Sequence, residues 1–187
     1  MRRVRYQVAC SLDGYIAGPN DEFDWITPEP SFDFETLYAQ FDILLMGRRT
    51  FEIVRKMGEN FHGKQVIVAS RSLRPADYPD IEIVGESLED RVRELRMQPG
   101  RDIWLYGGGS LFAQLLVWNL VDTVEPAVIP ILLGGGILLI SPCAVRQSLT
   151  LVGHRTYPSG MLYLEYEVRQ KPEIGLSLPL DQISEGK

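Results

Sequence analysis

The sequence has few of the residues that build metal centres or disulfide frameworks, with two cysteines and two histidines in 187 residues. Cys10 and Cys143 lie far apart, and neither falls with His62 or His154 into the spacing of a zinc site. We therefore expect no metal, and we interpret both cysteines as small buried apolar residues. So few cysteines in a chain of this size also favour a reducing compartment.

The sequence also lacks an apolar run that could cross a membrane. The longest one, 129–140, contains Pro130 and three consecutive glycines, and it is shorter than a membrane-spanning helix requires. Arg2 and Arg3 resemble the start of a signal peptide, but polar residues interrupt the apolar run that follows, so no signal-peptide core forms. We expect a cytoplasmic protein without a membrane partner.

Positive charge is scarce as well, because 19 basic residues stand against 25 acidic ones and give a formal net charge of -6. Non-specific binding of nucleic acid requires a basic surface, so we do not expect that class of partner. A small anionic ligand is compatible with this balance, since a pocket needs only a few local cations.

Length and composition indicate one globular domain. The 187 residues, of which 45% are hydrophobic and 24% are charged, fit a single domain. We place this domain at residues 1–170. Residues 171–187 follow the last predicted strand, contain two prolines, and are interpreted as a C-terminal tail.

Short apolar strands alternate with amphipathic helices along most of the chain. Strands are predicted at residues 4–10, 43–46, 66–70, 81–84, 103–106, 123–129, 148–157 and 161–169. Helices are predicted after Ser31, from about Thr50, over 88–97 and from Ser110. The last two strands, joined by a Pro-Ser-Gly turn, predict an antiparallel hairpin. The pattern predicts a three-layer α/β fold whose largely parallel sheet is closed by that hairpin.

Two segments place a glycine between an apolar strand and a helix. They are Gly47-Arg48-Arg49-Thr50 and Gly107-Gly108-Gly109-Ser110-Leu111. A glycine lets the backbone approach an anion, and the helix N-terminus supplies free N–H groups, so both segments are candidate phosphate sites. Each is equally compatible with a plain tight turn. Neither matches the kinase-type phosphate loop or the G-x-G-x-x-G dinucleotide motif.

A third glycine run, Gly134 to Gly136, has no clear helix after it. We interpret it as a chain reversal over the core. In the second segment above, we expect Gly108 to adopt a positive φ and to stand where the phosphate approaches.

Taken in chain order, these and neighbouring segments resemble the dihydrofolate reductase-like fold. The closer resemblance is to the reductase domain of riboflavin biosynthesis, the C-terminal domain of a bifunctional deaminase-reductase, and to its small stand-alone relatives. The segments that carry it are Ser11-Leu12-Asp13-Gly14-Tyr15-Ile16-Ala17, Asp24-Trp25, Gly47 to Thr50, Ser70-Arg71-Ser72, Gly107 to Leu111, Val121-Asp122 and Pro130 to Gly136. The match runs from about residue 4 to residue 169.

The resemblance implies an NADPH-dependent reductase that transfers hydride to a small heterocycle or an imine-like sugar carbon. The best-named activity is that of a 5-amino-6-(5-phosphoribosylamino)uracil reductase. Two alternatives stay open: a dihydrofolate or pteridine reductase, and a catalytically silent nucleotide-binding dimer module. The resemblance also implies a homodimer, which the apolar segment around Pro130 and 137–140 favours independently.

The resemblance also assigns site residues. Those implied for cofactor binding are Ala9, Ile16, Gly47, Arg48, Arg49, Thr50, Ser70, Arg71, Ser72, Gly107, Gly108, Gly109, Ser110 and Leu111. Within this set, the segment 70–72 is similar to the one that meets the 2′-phosphate of NADPH. An arginine between two serines suits that dianion because a guanidinium pairs with phosphate oxygens.

Four further residues are candidates for the chemistry and for the substrate. Asp13 is implied near the nicotinamide as a catalytic positioning group, although it also fits a turn aspartate before a glycine. Asp33 lies near the place of a pterin-contacting carboxylate, and it also fits a first-turn helix acid. Ser11 and Trp25 are candidates for substrate binding, and Trp25 equally fits a core aromatic.

The chain departs from the riboflavin branch at three positions. Tyr15 stands where that branch usually has a lysine, Thr123 replaces a glutamate, and Pro126 is expected to interrupt its strand. Tyr15 points to the small stand-alone relatives, so the riboflavin intermediate is the best-named substrate among several.

Overall fold

The structure is a computed structural model that describes residues 1–61, 63–143 and 145–169. Its strands are Val4–Ser11 (β1), Tyr15–Ala17 (β2), Phe41–Gly47 (β3), Gln65–Ala69 (β4), Glu82–Val84 (β5), Asp102–Gly107 (β6), Thr123–Ile129 (β7), Ile137–Leu138 (β8), Leu149–Thr156 (β9) and Leu162–Val168 (β10). Its α-helices are Phe34–Tyr38 (α1), Arg48–Lys56 (α2), Leu88–Met97 (α3) and Gly109–Val117 (α4), with a short 3-10 turn at Pro75–Asp77. The predicted tail, 171–187, lies outside the described residues.

Eight strands form one sheet in the order β5-β4-β3-β6-β1-β7-β10-β9. All neighbours from β5 to β7 are parallel, whereas β10 is antiparallel to both β7 and β9. The predicted α/β fold with a mostly parallel sheet and a C-terminal antiparallel hairpin is therefore confirmed. Among the described residues, no helix is long and apolar enough to cross a membrane.

The apolar run of β3 explains why helices cover both faces of the sheet. Side chains alternate along a strand, so Ile43 and Leu45 pack on one face while Leu44 and Met46 pack on the other. The first face also carries the apolar residues of α3 and α4, and the second carries those of α1 and α2. Three layers follow from this two-sided burial.

The strands β1 and β6 separate soon after they begin to pair. Their register includes only Val4 with Ile103 and Arg5 with Trp104, whereas β1 stays paired with β7 as far as Ser11. The sheet therefore opens between the carboxyl ends of β1 and β6. The indole N–H of Trp104 donates to the main-chain oxygen of Gln7 at 2.8 Å where the two strands part.

Two helix starts differ from the prediction. Helix α2 begins at Arg48 rather than near Thr50, so both arginines of the first glycine segment lie in its first turn. Helix α1 is capped by Asp33, whose carboxylate accepts from the N–H of Thr36, and not by Ser31. A carboxylate three residues before a free N–H satisfies that donor better than the more distant serine can.

Two further details of the sheets differ from the prediction. Pro126 does not interrupt its strand, because β7 continues through it and Val8 of β1 pairs beside it. The register with β10 includes Val124 and Ala127 but not Pro126 between them. This break in the pairing accommodates a residue that lacks an N–H. A small second sheet, in which β2 and β8 are antiparallel, was not predicted, since strands this short have no readable periodicity.

Candidate functional site

A cavity of about 780 Å³ opens where β1 and β6 separate. It is lined by the carboxyl ends of β1, β3 and β6, by the first turns of α2 and α4, and by β2 and β8. Open parallel sheets bind ligands at this edge, because connecting loops and helix N-termini converge there.

Two helix N-termini border this cavity without a side-chain cap. The N-cap residues are Gly47 for α2 and Gly108 for α4, and neither helix has a capping side chain. Each first turn therefore presents main-chain N–H groups that no residue of the helix satisfies, which is the usual arrangement of an anion site. Both predicted glycine segments therefore line the same cavity.

The two glycine segments lie close to one another. A Cβ atom added at Gly107 would be 3.3 Å from Oγ1 of Thr50, and one added at Gly108 would be 3.5 Å from the same oxygen and 4.0 Å from Cδ1 of Ile16. A side chain at Gly108 would therefore project into the cavity. The expectation of a positive φ at Gly108 was wrong: its φ is -105°, and the positive φ of 150° belongs to Gly107.

Gly109 has a different reason to be glycine. A Cβ atom there would overlap the main-chain oxygen of Leu138 in β8. The main-chain oxygen of Gly109 in turn accepts from the N–H of Ser141 at 3.1 Å. The start of α4 is thus packed directly against the segment that carries β8.

The two arginines at the start of α2 are both ion-paired. Arg48 contacts Glu52 at 2.9 Å, one turn along the helix, and Arg49 contacts Asp21 at 2.8 Å. Both guanidinium groups are largely exposed, and both residues line the cavity. Their charge reinforces the helix N-terminus but is partly offset by these carboxylates.

The segment 70–72 lies beside the cavity and does not line it. The register aligns Gly47 with Ala69, which does line the cavity, so Ser70 follows at the same edge of the sheet. Its hydroxyl oxygen accepts from the N–H groups of Ser72 and Leu73. The guanidinium of Arg71 is exposed and has no ion-pair partner among the described residues.

Asp13 lies outside the cavity lining, where it holds a loop. Its carboxylate accepts from the hydroxyl of Ser11 at 2.6 Å and from the N–H groups of Gly134 at 2.7 Å and Leu133 at 3.1 Å. The hydrogen bond from Ser11, followed by those from the two main-chain groups, lowers the pKa of Asp13 to about 2. An acid with this pKa is ionised at neutral pH and cannot serve there as a proton donor.

Ser11 is buried, and its hydroxyl also accepts from the N–H of Tyr15, so it joins β1 to β2. Asp33 is exposed, and its hydrogen bond with Thr36 lowers its pKa. Trp25 donates its indole N–H to the main-chain oxygen of Glu22 and packs near Ile129. None of these three lines the cavity.

The structure thus brings one part of the predicted set together and not the other. The predicted cofactor residues that line the cavity are Ala9, Ile16, Gly47, Arg48, Arg49, Thr50, Gly107, Gly108, Gly109, Ser110 and Leu111. The predicted residues outside its lining are Ser11, Asp13, Trp25, Asp33, Ser70, Arg71 and Ser72.

Sequence reasoning missed an aromatic wall of the cavity. Phe34, Trp104 and Tyr106 line it, with ring centroids 6.0 Å apart for the first two and 5.0 Å apart for the last two. Phe34 is 51% exposed although it is a large apolar side chain. Alternation along β6 would have placed Trp104 and Tyr106 on one face, but nothing local shows that this face borders a cavity.

Tyr106 is the titratable member of this wall. Burial, with a smaller contribution from Glu59, raises its pKa to about 12. The phenol therefore stays protonated at neutral pH and can donate a hydrogen bond.

A buried ionic network lies next to the wall on the same face of the sheet. Arg5 contacts the carboxylate of Glu125 with two nitrogens, both at 2.7 Å. The hydroxyls of Thr123 and Tyr163 donate to the same carboxylate at 2.6 and 2.8 Å. Burial alone would raise the pKa of Glu125, but the hydrogen bond and charge of Arg5 outweigh it and lower that pKa.

Comparisons with known proteins agree with this fold. Residues 2–163 match the family described as the RibD C-terminal domain. YyaP, an uncharacterized protein of Bacillus subtilis strain 168, is 32% identical over 178 residues, which cover 88% of this chain and 94% of YyaP. YwjB, an uncharacterized protein of the same organism, is 26% identical over 161 residues, which cover 83% of this chain and 92% of YwjB.

Solved structures that share this fold include the following three. A protein of Shewanella sp. PV-4, provisionally named a riboflavin biosynthesis protein, has a TM-score of 0.79 at 28% identity, with 90% of this chain and 99% of that chain covered. A diaminohydroxyphosphoribosylaminopyrimidine deaminase/5-amino-6-(5-phosphoribosylamino)uracil reductase of Thermotoga maritima has a TM-score of 0.67 at 20% identity, with 90% and 57% covered. A pyrimidine reductase-like protein of Corynebacterium diphtheriae has a TM-score of 0.65 at 14% identity, with 91% and 93% covered. The last two similarities concern the fold alone.

Proposed function

Because this chain belongs to the RibD C-terminal domain family, we propose that it is an NADPH-dependent reductase. It transfers hydride to a small heterocyclic or ribosylamino-pyrimidine acceptor, in a reaction of the 5-amino-6-(5-phosphoribosylamino)uracil reductase type. The observation that carries the proposal is the pair of uncapped helix N-termini, after Gly47 and Gly108, that border one cavity with an aromatic wall.

The residues present fit the cofactor. The N-termini of α2 and α4 offer two adjacent sets of main-chain N–H groups, which suits the two phosphates of a dinucleotide. A side chain at Gly108 would fill this space, so its absence leaves room for the pyrophosphate. Arg71, with Ser70 and Ser72, would hold the 2′-phosphate, and Ala9 and Ile16 would border the nicotinamide.

When bound, NADPH supplies the hydride, and the protein orients the acceptor and keeps water away. Phe34, Trp104 and Tyr106 provide an apolar surface for a planar ring. The phenol of Tyr106 is the protonated group that can donate a hydrogen bond to the reduced acceptor. Among the described residues that line the cavity, Asp21 supplies the one carboxylate, and it is ion-paired with Arg49.

This arrangement favours the pyrimidine-type acceptor over dihydrofolate. Reduction of a pterin is helped by a carboxylate that holds the protonated ring, and Asp33 was the candidate for that role. The Asp33 carboxylate instead caps α1 and does not line the cavity.

The proposal is tested by following the loss of dihydronicotinamide absorbance with three acceptors: the ribosylamino-pyrimidine of riboflavin biosynthesis, dihydrofolate and a pterin. We expect steady oxidation of NADPH with the first and little with the other two. Calorimetric titration with NADPH runs beside it. Tight NADPH binding without turnover on any acceptor would contradict the reductase and support a silent nucleotide-binding module, whereas no NADPH binding would contradict the cofactor assignment.

A further inference from the structure

Gln7 is a buried polar residue whose side chain makes no hydrogen bond within the described part of the chain. The residue is 7% exposed and lines the cavity. Its main-chain oxygen accepts from Trp104, but its side-chain amide makes no hydrogen bond with any residue in the described ranges. Both amide atoms keep some contact with solvent, since neither is among the fully buried side-chain atoms that lack a partner. A ligand that displaces this water from the cavity must itself satisfy the amide, because a buried amide without a partner costs free energy.

The position of Gln7 on β1 places it on the same side of the sheet as the aromatic wall of the cavity. Side chains alternate along a strand, so Gln7 shares a face with Arg5, whose guanidinium lies 4.8 Å from the centroid of the Phe41 ring. Phe41 and Trp104 belong to the same apolar cluster. Gln7 therefore lies on the face of the sheet that carries the aromatic wall.

The neighbouring ionic network does not use Gln7. The register places Glu125 beside Gln7, and the carboxylate of Glu125 already accepts from Arg5, Thr123 and Tyr163. Among the described residues, no group of that network makes a hydrogen bond with the amide of Gln7. The amide therefore remains available to a molecule in the cavity.

The charges around the cavity define what Gln7 can select. The charged side chains in its lining are Asp21, Arg48 and Arg49, and each is already ion-paired. The cavity lining near Gln7 is aromatic, and the neighbouring Arg5 and Glu125 lie outside the lining and neutralise one another, which favours a planar, neutral ring. An amide presents one donor beside one acceptor, so it pairs with a ring edge that has the same two groups side by side.

We propose that Gln7 determines acceptor specificity by pairing with a lactam edge, a ring N–H beside a carbonyl, of a neutral planar heterocycle. An amidinium edge, which has donors only, would leave the N–H group of the amide without an acceptor. The proposal rests on the proposed function only in treating this ring as the hydride acceptor.

Calorimetric titration of the full chain with two matched rings tests the proposal. Quinazoline-2,4-dione is neutral and has a lactam edge, whereas 1-aminoisoquinoline is largely a cation at neutral pH and, with its single ring nitrogen protonated, presents donors only. Gln7→Met keeps the side-chain length and removes the amide, and Gln7→Glu replaces it with a group that accepts twice. Each titration is run with and without NADPH, and thermal unfolding checks that both variants fold.

We expect the parent to prefer the dione and Gln7→Met to bind it about tenfold more weakly, as expected for the loss of one or two hydrogen bonds, with unchanged affinity for NADPH. Gln7→Glu is expected to reverse the preference toward the aminoisoquinoline cation. Equal dione binding by the parent and Gln7→Met, a parent preference for the aminoisoquinoline, or no binding of either ring would overturn the proposal. An equal loss of NADPH and dione affinity in Gln7→Met would also overturn it, by assigning Gln7 to the cofactor. If the parent fails to bind NADPH, the proposed function fails, and the titrations without NADPH still decide the role of Gln7.

Discussion

The carboxylate of Asp13 accepts a hydrogen bond from the main-chain N–H of Gly134 at 2.7 Å, across 121 residues of sequence. Asp13 lies in the loop between β1 and β2, and Gly134 lies in the glycine run before β8. The contact therefore holds these two loops together. The same carboxylate also accepts from Leu133 and Ser11. Asp13 therefore organises one wall of the cavity without lining it.

Asp13→Asn is expected to lower the Tm at neutral pH, because an amide cannot accept all of these hydrogen bonds. The folded-state pKa of Asp13, about 2, lies below its ordinary value of 3.8. The stabilisation is therefore fully present above about pH 4 and is lost as the pH falls toward about 2. Thermal unfolding across this range should show a difference between parent and variant that shrinks in acid. Asp24→Asn, at an exposed carboxylate, is the control, and a difference in Asp13→Asn that persisted at the lowest pH would refute this role.

Gly108→Val is expected to fold normally and to lose NADPH binding. Its φ of -105° suits any residue, and an added Cβ would meet only Thr50 and Ile16 at ordinary distances, inside the cavity. Gly109→Ala is the matched comparison, because its Cβ would overlap the Leu138 oxygen and the fold should suffer instead. Thermal unfolding and NADPH titration of both variants separate the two effects. A Gly108→Val protein that binds NADPH as the parent does would show that this segment is only a turn.

Glu125→Leu is expected to lower the free energy of unfolding by about 3–5 kcal/mol, since it removes the bidentate partner of the largely buried Arg5 guanidinium and leaves only the contacts of its third nitrogen with Gln40 and Asp102. Glu125 is 0% exposed, so solvent cannot replace the lost contact. Tyr163→Phe removes one hydrogen bond from the same carboxylate and should cost about 1 kcal/mol. Urea unfolding measures both. A Glu125→Leu cost no larger than that of Tyr163→Phe would contradict the account of this network.

We propose a homodimer that forms through β9. Among the described residues this strand has a neighbour, β10, on one side only. Its Leu149, Leu151 and Val152 are exposed, and an unpaired strand edge can pair with the same edge of a second copy. Sedimentation at micromolar concentration should show a dimer, and Leu151→Glu should shift it to the monomer. Ile140→Glu tests the other candidate interface, the apolar segment around Pro130 and 137–140. A parent protein that sediments as a monomer would contradict both interfaces.

The parallel core could be predicted because its strands are apolar runs that must be covered on two sides, as in 43–46. The start of α2 could not, since Gly47 caps the helix without a side chain and leaves no capping signature. Asp13 and Asp33 have the same local pattern whether they hold a turn, cap a helix or contact a ligand. Only their tertiary contacts distinguish these roles.

The aromatic wall of the cavity could not be predicted from the sequence for a different reason. It exists because β1 and β6 stop pairing after Arg5 and Trp104, and this register depends on the whole sheet. An uncharged polar residue in the middle of β1, Gln7, was the available signal. Without the register, that residue could equally have faced solvent.

The affinity ratio of NADPH to NADH, measured for the parent and for Arg71→Ala, is the direct test of whether the chain binds NADPH with Arg71 at the 2′-phosphate. The two cofactors differ only in the 2′-phosphate, and a charge-assisted bond to it contributes about 1.5–3 kcal/mol. We predict that the parent prefers NADPH, that Arg71→Ala binds it roughly ten- to a hundredfold more weakly, and that NADH binding is nearly unchanged. Arg74→Ala, at a nearby arginine paired with Asp77, should leave the ratio unaltered. An unchanged ratio in Arg71→Ala would show that Arg71 does not contact the 2′-phosphate. A parent that prefers NADH, or that binds neither cofactor, would contradict the assignment of NADPH as the cofactor.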